Sequence, residues 1–164
     1  VHDTTFVVAH FHFTMFGGTG FAFFAGLHYW WPKMFGIMYD FKKAYIAAVL
    51  ATVGFIFHYI PMFILGMQGM PRRYYDYLPQ FETGNFLAGF GGILMVIGIM
   101  LMFINLWVSF RVREPASADP WGGTTLEWTV PSPPPLHNFV DEPKVLEYPY
   151  DFSGVLARAA KNKG

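Results

Sequence analysis

The sequence contains no cysteine, so disulfide bonds and thiolate metal sites are excluded. Charged residues are scarce, at 13% of the 164 residues, whereas 54% are hydrophobic and 20% are aromatic. Eleven basic and eleven acidic side chains give a formal net charge of zero. That balance offers no electrostatic attraction for nucleic acid or for an acidic substrate. A soluble globular domain is therefore a poor description of the first two thirds of the chain.

Three stretches of 28 residues each contain no Asp, Glu, Lys or Arg, namely residues 4–31, 44–71 and 83–110. A helix of about 20 residues crosses a hydrocarbon core of roughly 30 Å, so each stretch is long enough for a tilted transmembrane helix. Aromatic and basic residues stand near the ends of these stretches, as is typical of membrane interfaces. The sequence thus predicts an all-α membrane protein with a three-helix transmembrane part over residues 1–113.

A polar, proline-rich segment follows the third stretch. Residues 114–164 are predicted to form an irregular tail, because Trp121-Gly122-Gly123 and Ser132-Pro133-Pro134-Pro135 favour turns and polyproline structure over helices. A short helix is also expected over residues 152 to about 161, where Ser153 would be its N-cap.

The distribution of basic residues predicts the orientation of the helices. One side of the membrane would hold Lys33, Lys42, Lys43, Arg111, Arg113 and the tail, and the other side Arg72 and Arg73. Since the side richer in Lys and Arg faces the cytoplasm, the C-terminus is predicted to be cytoplasmic. The chain begins at Val1 without Met or a signal-peptide pattern, which we interpret as a piece of a longer protein.

The first uncharged stretch contains the motif His10-Phe11-His12. An α-helix turns about 100° per residue, so side chains at i and i+2 point about 200° apart and cannot ligate one metal ion. Because neutral imidazole is a common axial ligand of heme iron, we expect each histidine to serve a separate iron, with Phe11 close to both. The alternative is an imidazole hydrogen-bonded to a neighbouring helix. We favour such a structural role for His28, which sits among interfacial aromatic residues, and for His58, which is isolated.

Four further polar residues are predicted to share one face of the membrane with this motif. Arg72 and Arg73 either contact lipid headgroups or hold heme propionates, which are carboxylates that accept bidentate hydrogen bonds from guanidinium groups. His2 and Asp3 supply a nitrogen and an oxygen ligand suited to a divalent cation. These two ligands are too few for a tight site, so any such cation needs ligands from elsewhere.

Small residues recur at intervals of four in the first and third stretches. Gly18, Ala22 and Gly26 form one such row, and Ala88 and Gly92 form another. Rows of this kind allow close approach of a neighbouring helix or of a flat macrocycle, and ordinary helix packing is the simpler explanation.

Several ordered motifs resemble subunit I of the heme-copper cytochrome c oxidases. The first are His2-Asp3-Thr4 and Val7-Val8-Ala9-His10-Phe11-His12. They are followed by Gly69-Met70-Pro71-Arg72-Arg73-Tyr74, Asp119-Pro120-Trp121-Gly122-Gly123, Thr125-Leu126-Glu127-Trp128 and Ser132-Pro133-Pro134-Pro135. The likeness covers nearly the whole chain, and the tail is similar to that of prokaryotic members.

This resemblance implies that the chain contributes the last three helices of a twelve-helix bundle, with a cytoplasmic tail, in a bacterial cytoplasmic (inner) membrane. His10 would then be the ligand of the high-spin heme iron, where oxygen is reduced, and His12 a ligand of the low-spin heme iron. Phe11 would lie between the two hemes.

The resemblance also implies roles for the residues near the membrane surface. Arg72 and Arg73 would hold propionates, and His2 and Asp3 would contribute to a magnesium site. Heme A is our first choice over heme O or B. The ligands of copper B would lie upstream of Val1.

The activity implied is that of a terminal respiratory oxidase. It would reduce dioxygen to water with electrons from cytochrome c, coupled to proton translocation, in a complex with subunits II and III and surrounded by lipid. The piece would not be active alone. A quinol-oxidising member of the family is the first alternative, and a non-catalytic metal-transporting membrane protein is the second.

Overall fold

A computed structural model describes residues 1–139 and Pro143. In this part of the chain the regular structure is entirely helical, which confirms the predicted all-α class. The elements are α1 (Thr5–Thr14), a π-helical segment (Met15–Gly20), α2 (Phe21–Phe35), α3 (Phe41–Met67), a 3₁₀ turn (Pro79–Phe81), α4 (Glu82–Val112) and a second 3₁₀ turn (Leu126–Trp128). Three helical stretches, Thr5–Phe35, Phe41–Met67 and Pro79–Val112, are long and apolar enough to cross a membrane.

The first of these stretches ends four residues later than predicted. The helix continues through Pro32 and Lys33 to Phe35. It stops at Gly36, whose φ of +68° lies in the left-handed region that glycine adopts readily, and whose N–H donates to the carbonyl of Pro32 at 2.8 Å.

The second helix is bounded by two recognisable caps. Asp40 is the N-cap of α3, and its carboxylate accepts a hydrogen bond from the backbone N–H of Lys43 at 3.1 Å. That bond is the main reason why the pKa of Asp40 is lowered. At the other end α3 stops at Met67 rather than near residue 71, because Gly69 takes a φ of +90° and Met70 N–H turns back to the carbonyl of Leu65 at 3.0 Å.

Glycines bring α3 and α4 into close contact. A Cβ added to Gly54 would overlap the backbone of Met95, and one added to Gly91 would overlap the backbone at His58. The two helices therefore approach at a distance that only small residues allow. This crossing includes the Ala88–Gly92 region predicted from sequence, since Ala88 is buried and a Cβ at Gly92 would lie 3.0 Å from His58 Nδ1.

The other predicted row of small residues has a different outcome. A Cβ added at Gly18 would meet no atom of the described chain within 4 Å, and Ala22 is exposed. Helix α1 instead packs on α3 through Gly66, where a Cβ would overlap the backbone of Phe6. One buried cluster between these two helices contains Ala9, Phe55 and Tyr59.

The chain divides into two compact units. The first contains Val1–Gly26 and Tyr39–Val108, and therefore holds the packed parts of α1, α3 and α4. The second contains Leu27–Met38 together with the described chain from Ser109 onward.

In the second unit the tail packs on the end of α2. The indole N–H groups of Trp121 and Trp128 donate to the carbonyl and the hydroxyl of Tyr29 at 2.9 and 2.7 Å. The chain is irregular from Arg113 to residue 139 apart from one 3₁₀ turn, as the proline-rich sequence predicts. The helix predicted over residues 152–161 lies outside the described residues.

Lys33 is enclosed by this tail, although the sequence placed it among the basic residues of the membrane border. Only 6% of its surface is exposed. Its ammonium group donates to the carbonyls of Val130 at 2.7 Å and Ala118 at 2.9 Å, and it lies 5.0 Å from the ring centroid of Trp128. Backbone carbonyls and an aromatic face thus replace the water that a lysine at the headgroups would contact.

Candidate functional site

His12 lies on α1, and its imidazole is half-buried. Nδ1 is 2.9 Å from the carbonyl oxygen of Val8, one turn earlier on the same helix. A carbonyl only accepts hydrogen bonds, so Nδ1 must carry the proton, and the lone pair of the neutral ring is then on Nε2. This tautomer is the one that a histidine uses to ligate a metal through Nε2 while its other nitrogen is held by a backbone carbonyl.

The ring of His12 also contacts two aromatic side chains. It is nearly parallel to the ring of Tyr59 on α3, with centroids 5.1 Å apart and planes at 17°. The ring of its neighbour Phe11 lies at 4.3 Å and 31°. The orientation of this imidazole is therefore set by both α1 and α3.

His10 has different surroundings. Its imidazole is exposed and lies parallel to the ring of Phe6, one turn earlier on α1, at a centroid distance of 6.4 Å. Within the described chain its ring nitrogens have no hydrogen-bond partner. Two imidazoles separated by one residue thus meet separate neighbours, as the helical geometry predicts.

The structure brings together three of the four polar residues expected at one end of the helices. The Nε atom of Arg72 donates to a carboxylate oxygen of Asp3 at 3.0 Å, and the backbone N–H of Arg72 donates to the carbonyl of Asp3 at 2.9 Å. The other carboxylate oxygen of Asp3 is 3.3 Å from Nε2 of His2. An isolated β-bridge between Thr4 and Pro71 holds the two segments in register.

The bond to Asp3 uses only a small part of the hydrogen-bonding capacity of the Arg72 guanidinium group. A guanidinium group has five N–H donors, and the bond to Asp3 uses only the one on Nε. Arg73 is exposed and has a φ of +59°, a backbone conformation that is unusual outside glycine and is found at functional sites. Within the part of the chain that the structure describes, the terminal N–H groups of both arginines have no partner, so they are suited to a carboxylate ligand.

Within residues 1–139 and Pro143 no group of three or more His, Asp or Glu side chains is arranged to hold a metal ion. His2 and Asp3 remain a pair, as expected from the sequence. A divalent cation at this position would need ligands from another part of the protein.

His58 is bonded within the helix bundle. Its Nδ1 lies 2.7 Å from the carbonyl oxygen of Ala88 on α4, so the imidazole donates across the close contact between α3 and α4. This agrees with the structural role predicted for it. Tyr59, beside it, was not singled out by the sequence, although a phenol in the middle of an apolar helix was a signal for a specific contact.

These features define an integral membrane protein whose first helix directs two imidazoles toward different surroundings. A family model described as "Cytochrome C and Quinol oxidase polypeptide I" matches residues 1–94, which is more than half of the chain. The chain belongs to this family. The resemblance drawn from the ordered motifs is thereby confirmed.

Curated relatives carry two kinds of name. Cytochrome c oxidase subunit 1 of Thermostichus vulcanus is 42% identical over 152 residues, which is 93% of this chain and 28% of the relative. The protein of the same name from Bacillus subtilis is 45% identical over 148 residues, 88% of this chain and 24% of the relative. Cytochrome bo(3) ubiquinol oxidase subunit 1 of Buchnera aphidicola is 42% identical over 149 residues, 88% of this chain and 23% of the relative. The chain spans about a quarter of the length of these relatives.

Proposed function

We propose that the chain is the C-terminal part of the catalytic subunit of a terminal respiratory oxidase. The complete enzyme would reduce dioxygen to water with electrons from cytochrome c and couple this reaction to proton translocation. The family supports a heme-copper oxidase, and several of the similar curated proteins are named cytochrome c oxidase subunit 1. Copper B, subunits II and III and the site of cytochrome c would be supplied by parts of the complex outside this chain.

The observation that carries the proposal is the different environment of the two imidazoles on α1. His12 has its Nδ1 proton engaged by Val8, so its Nε2 lone pair is the one suited to an iron. His10 presents an exposed imidazole on the same helix, and its ring nitrogens have no hydrogen-bond partner among residues 1–139 and Pro143. In our proposal His10 ligates the high-spin heme iron and His12 ligates the low-spin heme iron.

The hemes, which we take to be heme A, would supply the redox chemistry at these positions. The chain's own contribution is to hold the two imidazoles at a fixed separation along one helix. Phe11 stands between them and contacts the ring of His12, so it would exclude water from the gap between the two centres.

The residues at the end of the helices would neutralise negative charge. Arg72 and Arg73 have donors suited to heme propionates, and fixed cations beside propionates raise the reduction potential of a heme. His2 and Asp3 would contribute two ligands to a magnesium ion whose other ligands lie elsewhere in the enzyme. Asp3 would then also hold Arg72 in place through the bond at 3.0 Å.

We place the chain in the cytoplasmic (inner) membrane of a bacterium, with its C-terminus in the cytoplasm. Lys33 is buried, so it is left out of the count of basic residues exposed at the membrane border, although it keeps its ammonium group. Lys42, Lys43, Arg111 and Arg113 still outnumber Arg72 and Arg73, so the orientation is retained.

The test uses single substitutions in the complete oxidase complex. His10→Ala should remove the high-spin heme signal from the optical spectrum and abolish oxygen reduction, whereas His12→Ala should remove the low-spin signal. His28→Ala is the control, because this histidine lies on α2 in the second compact unit and should leave both signals in place. Identical spectra for the His10 and His12 variants would refute the assignment.

A quinol-oxidising enzyme is the second candidate, since a ubiquinol oxidase subunit 1 is among the similar proteins. Oxygen consumption by the purified complex with reduced cytochrome c, and separately with a ubiquinol, distinguishes the two donors. The metal transporter considered from the sequence is not supported, because the chain belongs to the oxidase family.

A further inference from the structure

We infer that Tyr59 is a positioning residue for His12, holding the imidazole plane at the angle that directs Nε2 toward the low-spin heme. The inference rests on the proposed function, in which His12 is an axial ligand. It starts from the stacked contact between the two rings, at 5.1 Å between centroids and 17° between planes.

The hydrogen bond from His12 to Val8 is not sufficient to define this plane. It fixes one atom of the imidazole, Nδ1, at 2.9 Å from the carbonyl oxygen. The ring remains able to tilt about that contact, and a tilt moves Nε2, which is on the far side of the ring. A second contact on the face of the ring restricts the tilt, and Tyr59 provides it from another helix.

Tyr59 is itself held firmly. Its exposed fraction is 6%, and its ring contacts Phe55 at 4.9 Å and Phe13 at 6.2 Å. The ring of His58 lies at 4.5 Å and 78°, and Nδ1 of His58 donates to the carbonyl of Ala88 on α4. Contact with Tyr59 therefore holds the imidazole on α1 in a defined position relative to the packed pair α3 and α4.

Residues that orient a metal-bound histidine influence both the bond to the metal and the potential of the centre. Their removal commonly weakens metal binding by about 10–100-fold. Loss of the ring of Tyr59 should therefore let the imidazole take several orientations. The expected signature is a broader low-spin heme signal and about tenfold more heme that has lost its bond to His12.

The experiment compares variants of the complete oxidase complex by electron paramagnetic resonance, optical spectra and redox titration of the low-spin heme. Tyr59→Leu and Tyr59→Met remove the aromatic face, and either one suffices for the test. Tyr59→Phe keeps the ring and should preserve the width of the signal and the potential. Phe21→Leu is the matched control, because Phe21 packs on the same buried cluster and its ring contacts Phe16 and Phe55 rather than His12 or Tyr59.

Three results would overturn the inference. The first is a low-spin signal of unchanged width and potential in the Leu and Met variants. The second is failure of both variants to assemble while Tyr59→Phe assembles with an altered signal. The third is an equal change in Phe21→Leu, which would assign the effect to general packing. The proposed function fails separately, because in that case His12→Ala retains the low-spin heme.

Discussion

Replacing Lys33 by Met should loosen the tail from the end of α2. The side chain of Met is similar in length, so the change removes the ammonium group while leaving most of the buried stem. In the native protein that group donates to the carbonyls of Val130 at 2.7 Å and Ala118 at 2.9 Å, and a third carbonyl, that of Pro131, lies at 3.4 Å.

The magnitude follows from the two short hydrogen bonds. Bonds from a charged donor contribute about 1.5–3 kcal/mol each, and a buried carbonyl left without a donor costs about 1–3 kcal/mol. Two effects reduce the loss: Met avoids the desolvation cost of a buried ammonium, and Ser132 Oγ still lies 3.4 Å from the Ala118 oxygen. A net loss of about 3 kcal/mol is expected, which is roughly a 100-fold increase in opening of the tail.

Hydrogen exchange in the intact oxidase measures this opening. The backbone N–H groups of Trp128 and Gly123 are bonded inside the tail, to the carbonyl of Thr125 at 3.0 Å and to the carboxylate of Asp119 at 2.9 Å. Their exchange should accelerate about 100-fold in Lys33→Met. Lys42→Met, which changes an exposed lysine, is the control. Exchange within about twofold of the native rate would refute the reasoning from these hydrogen bonds.

Three further predictions concern helix packing and capping. Gly91→Ala should reduce the free energy of unfolding by about 1–3 kcal/mol and lower the thermal unfolding temperature, because the added Cβ would overlap the backbone at His58. The control, Gly89→Ala, should be neutral, because its Cβ would meet no described atom within 4 Å. Equal effects of the two changes would contradict this prediction. His58→Leu should cost about 0.6 kcal/mol in detergent unfolding, the average for a hydrogen bond between membrane helices. A loss several times larger would require another role. Asp40 has a pKa lowered from 3.8, so its stabilising effect is present above that value and is lost as the pH falls through the lowered pKa. Acid unfolding of Asp40→Asn, followed by circular dichroism, should lack the loss of stability that titration of this carboxylate causes in the native protein.

The three membrane helices were predictable because the absence of charge over 28 residues is a strong signal for burial in lipid. Their ends were less predictable. Pro32 sits inside α2 rather than ending it, and Gly69 ends α3 before the apolar stretch is complete. Apolar composition indicates which residues can lie in the membrane, whereas the residue at which a helix ends depends on local backbone angles.

The candidate site, too, was predictable from the sequence only in part. The spacing of His10 and His12 was enough to predict separate surroundings, because helical geometry is local. The contact between His12 and Tyr59 joins residues 47 positions apart and depends on how two helices cross, for which the sequence contains no direct signal. Lys33 illustrates the same limit, since its partners Ala118 and Val130 are 85 and 97 positions away.

The π-helical segment Met15–Gly20 changes the direction in which the later side chains of the first transmembrane helix point. A π turn holds one more residue than an α turn, so the residues that follow it are rotated by about 100° relative to a continuous α-helix. Phe21 and Phe24, which contact Phe55 and Phe103, owe their direction to this insertion. Closing the segment into a regular α-helix without removing a residue would turn these rings away from their partners. Deleting one residue from it would restore a regular helix and leave the direction of these rings unchanged, because the extra residue and the wider turn are removed together.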